Sequence, residues 1–284
     1  MSDPALLPAI VDGHDARAPA RLVHSLRHTG FAVLTHHPLD VALLQAAHAE
    51  WDAFLGSPAV DNYPFDPVLQ DGHVGPERSE TARGHAQRDL KAFFHHYPDG
   101  RYPQEVSDAA LRCRAQAEAL AVQLLGWVQQ ELPEAVRAQL SEPLPDMIAG
   151  SRRTLLRILR YPPLRGDEPA GALRAAAHED INLLTVLPAA TAPGLEVLGR
   201  DGRWRPVPCD PGMLVINTGD MLQEATGGWL PSTTHRVVNP QGDAARRPRV
   251  SMPLFLHPRA EVRLSARHTA GSYLEERLRE LGLK

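Results

Sequence analysis

Two histidines and one aspartate have the types and spacing to hold a transition metal. His178 and Asp180 stand two apart in AAHEDINLLTVL, and the apolar run after them reads as a strand. Residues i and i+2 of a strand share a face, so an imidazole and a carboxylate there can grip one ion from one side. His235 lies downstream in STTHRVVNP, at the start of another β-like run. A neighbouring strand of a rolled sheet can bring it to the same ion. Two histidines and one carboxylate leave three coordination positions open, the arrangement of non-haem iron(II) oxygenases. Such an ion has room for a bidentate 2-oxo acid and then O2. A structural zinc site usually closes its shell with four protein ligands, often cysteines, and Cys113 and Cys209 both lie away from the motif. His-x-Asp alone recurs by chance in a chain with 14 histidines; strand placement and a third element give it weight.

That element is Arg249-Val250-Ser251 in RRPRVSMPLFL. Positions 249 and 251 again share a strand face. A guanidinium can hold a carboxylate through two parallel hydrogen bonds, and a hydroxyl can add a third. The pair suits the distal carboxylate of 2-oxoglutarate. Taken alone, Arg249 is one arginine among many, beside the solvated Arg246 and Arg247.

These residues need elements to position them. Residues 16–29 read as a helix stopped by Gly30, FAVLT (31–35) as a strand, and Asp40 as the cap of a helix running through Phe54. Residues 57–90 read as a long loop. KAFFHHY (91–97) reads as a strand, and Ser107 as the cap of a helix over about 108–131. After Pro145 the pattern changes. TLLRILRY, HEDINLLTVL, GLEVL, MLVIN, THRVV, RVSMPLFL and VRLS alternate with turn signals, which indicates a β-sandwich or barrel. Residues 271–282 read as a closing helix with Leu274, Leu278 and Leu281 on one face. The expected class is mainly β with packed helices: a helix-rich region over 1–145 and a β-rich core over 146–284, as one structural unit.

Composition fits an ordinary globular chain: 284 residues, 43% hydrophobic and 23% charged. A net charge of −4 argues against a nucleic-acid or anionic-membrane binder. The N-terminus lacks the pattern of a secretory signal. The two cysteines need not pair, and a reducing cytoplasm is the simpler expectation. A monomer is compatible with this pattern.

The chain resembles the isopenicillin N synthase-like family of 2-oxoglutarate/Fe(II) oxygenases over most of its length. RHTGFAVLTHHPLD is similar to the family's N-terminal helix–strand segment, and RILRYPPL to its strand ending in Tyr-Pro. HEDINLLTVLP resembles the His-x-Asp strand, and PGLEVLGRDGRWRPVPCDPGMLVINTGDMLQEATGGWLPSTTHRVVNP follows the family pattern nearly throughout. RVSMPLFL matches the Arg-x-Ser strand. The resemblance implies a distorted jelly roll, or double-stranded β-helix, with iron(II) on His178, Asp180 and His235. It implies 2-oxoglutarate on Arg249 and Ser251, supplemented by Tyr161, with O2 as oxidant and succinate and CO2 as products. Tyr161 also reads as a strand-end aromatic of the core. Leu159 stands where many plant-type members have Asn. Isopenicillin N synthase itself shares the Arg-x-Ser pair without using 2-oxoglutarate, but a glutamine near its C-terminus reaches the iron. RLRELGLK carries none, which favours a 2-oxoglutarate-dependent hydroxylase of a small molecule. The alternatives are an Fe(II) oxidase or cyclase without 2-oxoglutarate, and a non-catalytic jelly-roll metal-binding protein.

Substrate contacts are sought on two strands. Arg157 shares the face of Tyr161; it either binds an acidic group of the substrate or pairs with a structural carboxylate. On 91–97, Lys91, Phe93 and His95 share one face and Phe94 and His96 the other, with the inward face open. Arg78, Arg83 and Arg88 read as a solvated loop surface or a lid. Asp220 reads as a turn residue, Met221 and Trp229 as packing residues, and Cys113 as helix core.

Overall fold

A computed structural model describes residues 7–79 and 87–280. The strands are β1 (Ala9–Asp12), β2 (Phe31–Thr35), β3 (Gly72–Val74), β4 (Ala92–His96), β5 (Leu155–Tyr161), β6 (Ala175–His178), β7 (Leu184–Pro188), β8 (Leu195–Leu198), β9 (Trp204–Pro206), β10 (Leu214–Thr218), β11 (His235–Val237), β12 (Arg249–Ser251) and β13 (Leu254–Leu256). The helices are α1 (Ala18–Thr29), α2 (Val41–Leu55), α3 (Ala109–Glu131), α4 (Glu134–Arg137), α5 (Leu144–Ile148), α6 (Asp220–Ala225) and α7 (Ala270–Glu280). The strands form two sheets. The major sheet runs β1-β2-β10-β7-β13-β5-β4-β3, with β12 also paired to β5; the minor sheet runs β6-β11-β8-β9. This is the expected jelly-roll architecture, an open two-sheet sandwich rather than a closed barrel.

Alternation along the strands sorts side chains into two apolar layers. Leu156 and Ile158 of β5, Val186 of β7 and Leu214 and Ile216 of β10 face the helices, packing with Leu26, Trp51, Leu120 and Leu124. Leu159 and Tyr161 of β5 and Val215 of β10 face the minor sheet, packing with Phe31, Phe93, Val197 and Val237. The period of two therefore sends one half of each strand to the helix layer and the other half to the space between the sheets. The first 145 residues are not only a helical layer: β1 to β4 all join the major sheet.

Local signals explain most boundaries. Asp40 accepts a hydrogen bond from Leu43 N at 3.0 Å and caps α2. Gly30 ends α1 in the left-handed region at φ 72°, donating to Leu26 O. A Cβ on Gly30 would lie 2.2 Å from Thr233 Oγ1, so only glycine lets this corner approach the segment before His235.

Several expectations need correction. His178 ends β6 and Asp180 lies in the turn before β7, so the pair does not share one strand. VRLS is no strand; it makes only an isolated bridge between Arg263 and Thr269. The N-cap of α3 is Asp108 rather than Ser107, although Ser107 Oγ does accept from Ala109 N. Residues 57–90 include β3 as well as loop. Asp220 is not a turn residue; it begins α6 and is buried. Arg83 and Leu281 lie outside the described residues. Cys113 is buried in the helix layer as expected, and both cysteines are free thiols. Among the described residues, no helix is long and apolar enough to cross a membrane.

The two-layer packing makes a clean prediction. Ile158 is fully buried on the helix-facing side. Ile158→Ala should cost about 2–5 kcal/mol in urea unfolding while metal affinity of the folded variant stays unchanged; a parallel loss of metal affinity would contradict the division into layers. Acid stability supplies another. Burial and the Arg114 guanidinium, whose Nη1 donates to His96 Nδ1 at 3.0 Å, lower His96 from 6.5 to about 4. Between those values the unfolded chain takes up a proton that the folded chain refuses. Stability should therefore fall as pH drops from 6.5 towards 4. His96→Gln should flatten that part of the unfolding profile; an unchanged slope would exclude His96 as its source.

Candidate metal centre

The three predicted ligands converge at one end of the sandwich. His178 and His235 are direct partners across the β6–β11 pairing. Their ring centroids lie 4.4 Å apart. Asp180 Oδ1 is 3.7 Å from His235 Nε2 and 4.0 Å from His178 Nε2. All three ligand atoms lie within 4.8 Å of one another, near enough for a single ion.

The surroundings fix which atom each residue presents. His178 Nδ1 is 2.8 Å from Ala176 O, and His235 Nδ1 is 3.1 Å from Thr233 O. A carbonyl can only accept, so each Nδ1 carries the proton and each Nε2 keeps its lone pair for the metal. Asp180 Oδ2 accepts from Thr185 Oγ1 at 2.7 Å and Asn217 Nδ2 at 2.8 Å, which leaves Oδ1 facing the histidines. Burial alone would raise the Asp180 carboxyl. The two histidines and these two hydrogen bonds outweigh it and hold the carboxyl below its ordinary value. Partial burial and the adjacent His235 ring hold His178 below its ordinary value too, so both ligands are unprotonated at neutral pH.

The turn carrying Asp180 is held from beneath by α6. Asp220 N donates to Asp180 O at 2.7 Å, and Met221 N to Ile181 O at 3.2 Å. Helix-start N–H groups, which have no partner inside the helix, thus hold the ligand loop. Gly219 permits this approach, because a Cβ there would lie 2.1 Å from Asn182 O. Asp220 in turn faces Arg277 of α7, Nε to Oδ2 at 3.3 Å.

A cleft opens over the triad. Its apolar wall includes Phe31, Leu159, Leu187, Leu195 and Val237. Arg249, Ser251 and Tyr161 line it as well. Tyr161 is the register partner of Arg249, whose guanidinium lies 5.0 Å from the Tyr161 ring centroid. Arg249 is only 3% exposed. Its Nε donates to Ala192 O at 2.8 Å, and its Nη1 is buried without a partner. A buried guanidinium with an orphaned N–H suits a carboxylate ligand entering the cleft.

On β4 and the residue before it, the site-facing side is the one bearing Lys91, Phe93 and His95. Lys91 and Arg157 line the cleft. Phe93 and His95 stand behind Arg157: its guanidinium lies 4.8 Å from the Phe93 ring centroid, and its Nε bonds His95 Nε2 at 2.8 Å. Phe94 and His96 face the helices. Lys91 Nζ pairs with the buried Asp89 at 2.8 Å.

A second group, Asp12, His14 and His36, is also close enough to share an ion. Both of its histidines are exposed. Thr185, Asn217 and Gly219 have roles that sequence reasoning missed. A threonine inside LLTVL and an asparagine closing LVIN are polar residues in otherwise apolar strands, and that was the available signal.

A two-sheet jelly roll with two histidines and one carboxylate at its open end defines a class of mononuclear metal protein. The profile of the 2OG-Fe(II) oxygenase superfamily matches residues 153–258. A candidate oxygenase of known structure from Shewanella oneidensis is 48% identical, aligned over 98% of this chain and all of its own, with a TM-score of 0.88. A candidate 2OG-Fe(II) oxygenase family protein of known structure from Caulobacter crescentus is 32% identical over 96% of this chain and 98% of its own, with a TM-score of 0.78. Gibberellin 2-beta-dioxygenase 2 of rice is 37% identical over 130 residues, which make up 40% of this chain and 34% of that enzyme. The chain belongs to the 2OG-Fe(II) oxygenase superfamily.

The hydrogen bonds on Asp180 Oδ2 give a direct test. Thr185→Val removes one of the two donors on Asp180 Oδ2 and should lower metal affinity by about 10- to 100-fold. Competition titration against a chelator would measure this, and wild-type affinity in the variant would remove Thr185 from the site.

Proposed function

We propose that this chain oxidises a C–H bond of a small acidic molecule, most simply by hydroxylation, using iron(II), 2-oxoglutarate and O2. The observation that carries the reading is the buried, orphaned Nη1 of Arg249 in the wall of the cleft that holds the triad. A protein that kept metal ligands only for stability has no use for a desolvated guanidinium beside them.

His178 Nε2, Asp180 Oδ1 and His235 Nε2 would hold the iron. When bound, iron and 2-oxoglutarate couple decarboxylation of the 2-oxo acid to oxidation of the substrate: R–H, 2-oxoglutarate and O2 give R–OH, succinate and CO2. Arg249 and Ser251, with Tyr161 beside them, would bind the distal carboxylate. Held at Oδ2 by Thr185 and Asn217, Asp180 would present Oδ1 to the ion. The apolar wall excludes water. Among the described residues, Lys91, Arg157 and Arg249 line the cleft together with the acid Asp180. Arg157 lines the cleft with its guanidinium over the Phe93 ring, and an acidic group of the substrate would dock against it. The Phe93 and His95 side chains hold that guanidinium in place.

Anaerobic addition of Fe(II) and then 2-oxoglutarate should produce the weak visible band of a chelated 2-oxo acid. Arg249→Gln should weaken 2-oxoglutarate binding by at least about thirtyfold with iron binding intact. Turnover without succinate release in the wild type would point instead to an oxidase independent of 2-oxoglutarate.

A further inference from the structure

A second arginine sits behind the co-substrate end of the cleft. Arg174, just before β6, is 1% exposed. Its backbone N donates to Asn239 Oδ1 at 2.9 Å, and its Nη2 to Arg247 O at 3.1 Å. Its Nε is buried without a partner. No carboxylate among the described residues pairs with it. Its guanidinium lies 5.9 Å from the Tyr161 ring centroid, and Arg249 approaches the same ring at 5.0 Å. Two desolvated guanidiniums thus share one aromatic ring, and no acid among the described residues pairs with either. Burying a cation is expensive unless an anion compensates it. Burial and Arg249 both lower the affinity of Arg174 for its proton, as two uncompensated neighbouring charges must.

We propose that Arg174 is a second cationic determinant of the co-substrate pocket, a positioning residue that acts across Tyr161 and favours 2-oxo acids with a charged distal end. The inference rests on the 2-oxoglutarate reading of the cleft. Arg249 would supply the hydrogen bonds. Arg174 does not line the cleft; it would add field, which persists over several ångströms where little water screens it. Its bond to Arg247 O also steadies the strand entry two residues before Arg249.

The test compares 2-oxoglutarate with 2-oxovalerate, which has the same chain length and no distal carboxylate. Binding of each to Fe(II)-loaded protein is followed anaerobically by the visible band, for wild type, Arg174→Met and Arg174→Lys, at low and high salt. Arg174→Met should raise the Kd of 2-oxoglutarate about tenfold and leave that of 2-oxovalerate unchanged. Arg174→Lys should keep most of the discrimination. If the Met variant does not fold, Arg174→Gln, which retains a donor for Arg247 O, reads the same ratio. Equal losses for both ligands would mean that Arg174 only supports the fold, and no loss for either would remove it from the pocket; either result overturns this inference alone. A wild type that binds no 2-oxoglutarate would overturn the functional reading as well.

Discussion

The site depends on how one carboxylate is held. Asp180 Oδ2 is occupied by Thr185 and Asn217, so Oδ1 has a single direction left. Without those donors the carboxylate could rotate about its χ angles, and a bidentate or outward orientation would compete with the one that completes a facial triad. The donors come from β7 and β10, neighbours in the major sheet. The imidazoles stand opposite each other in the minor sheet. Ligand geometry is thus set by the spacing and register of two sheets, and the helices matter because they fix the major sheet from behind.

The same logic organises the rest of the cleft. Antiparallel pairing of β12 with β5 sets Arg249 against Tyr161 and Ser251 against Leu159. Pairing of β5 with β4 sets Arg157 against His95 and Leu159 against Phe93. A slip of one residue in either pairing would turn these side chains into the helix layer. The opposite face of β5 shows what that layer demands: Arg160 there pairs with Asp52 of α2 at 2.8 Å, while Ile158 fills the core.

Much of this was legible in the residues. Short apolar runs between turn signals located β2, β5 and β10, and Asp40 and Gly30 marked helix ends. His178, Asp180, His235 and Arg249 stood out because their chemistry is distinctive. The misses have physical reasons. AAAH of β6 hid as a strand because alanine has low β preference, and pairing with β11 overrides it. NTGD reads as a turn, yet Gly219 and Asp220 start a helix because the Asp180 loop offers carbonyls to its first N–H groups. VRLS has strand-like composition but only one bridging partner. Thr185 and Asn217 are separated by 32 residues, so nothing local to either could show that both grip one oxygen. Arg174 was hidden by the abundance of arginine, since only burial separates it from the solvated ones.

The position of the triad has a mechanical side. Asp180 is tied to the major sheet, and both imidazoles belong to the minor sheet. An ion bound by all three is therefore a rivet across the open end of the sandwich, where the β-ladders themselves do not connect the two layers. Ligand binding that favours the folded state adds to its stability in proportion to the logarithm of ligand concentration over Kd. Here that gain would fall on the seam between the layers, so an ion bound there would join the two sheets as well as equip the site for chemistry.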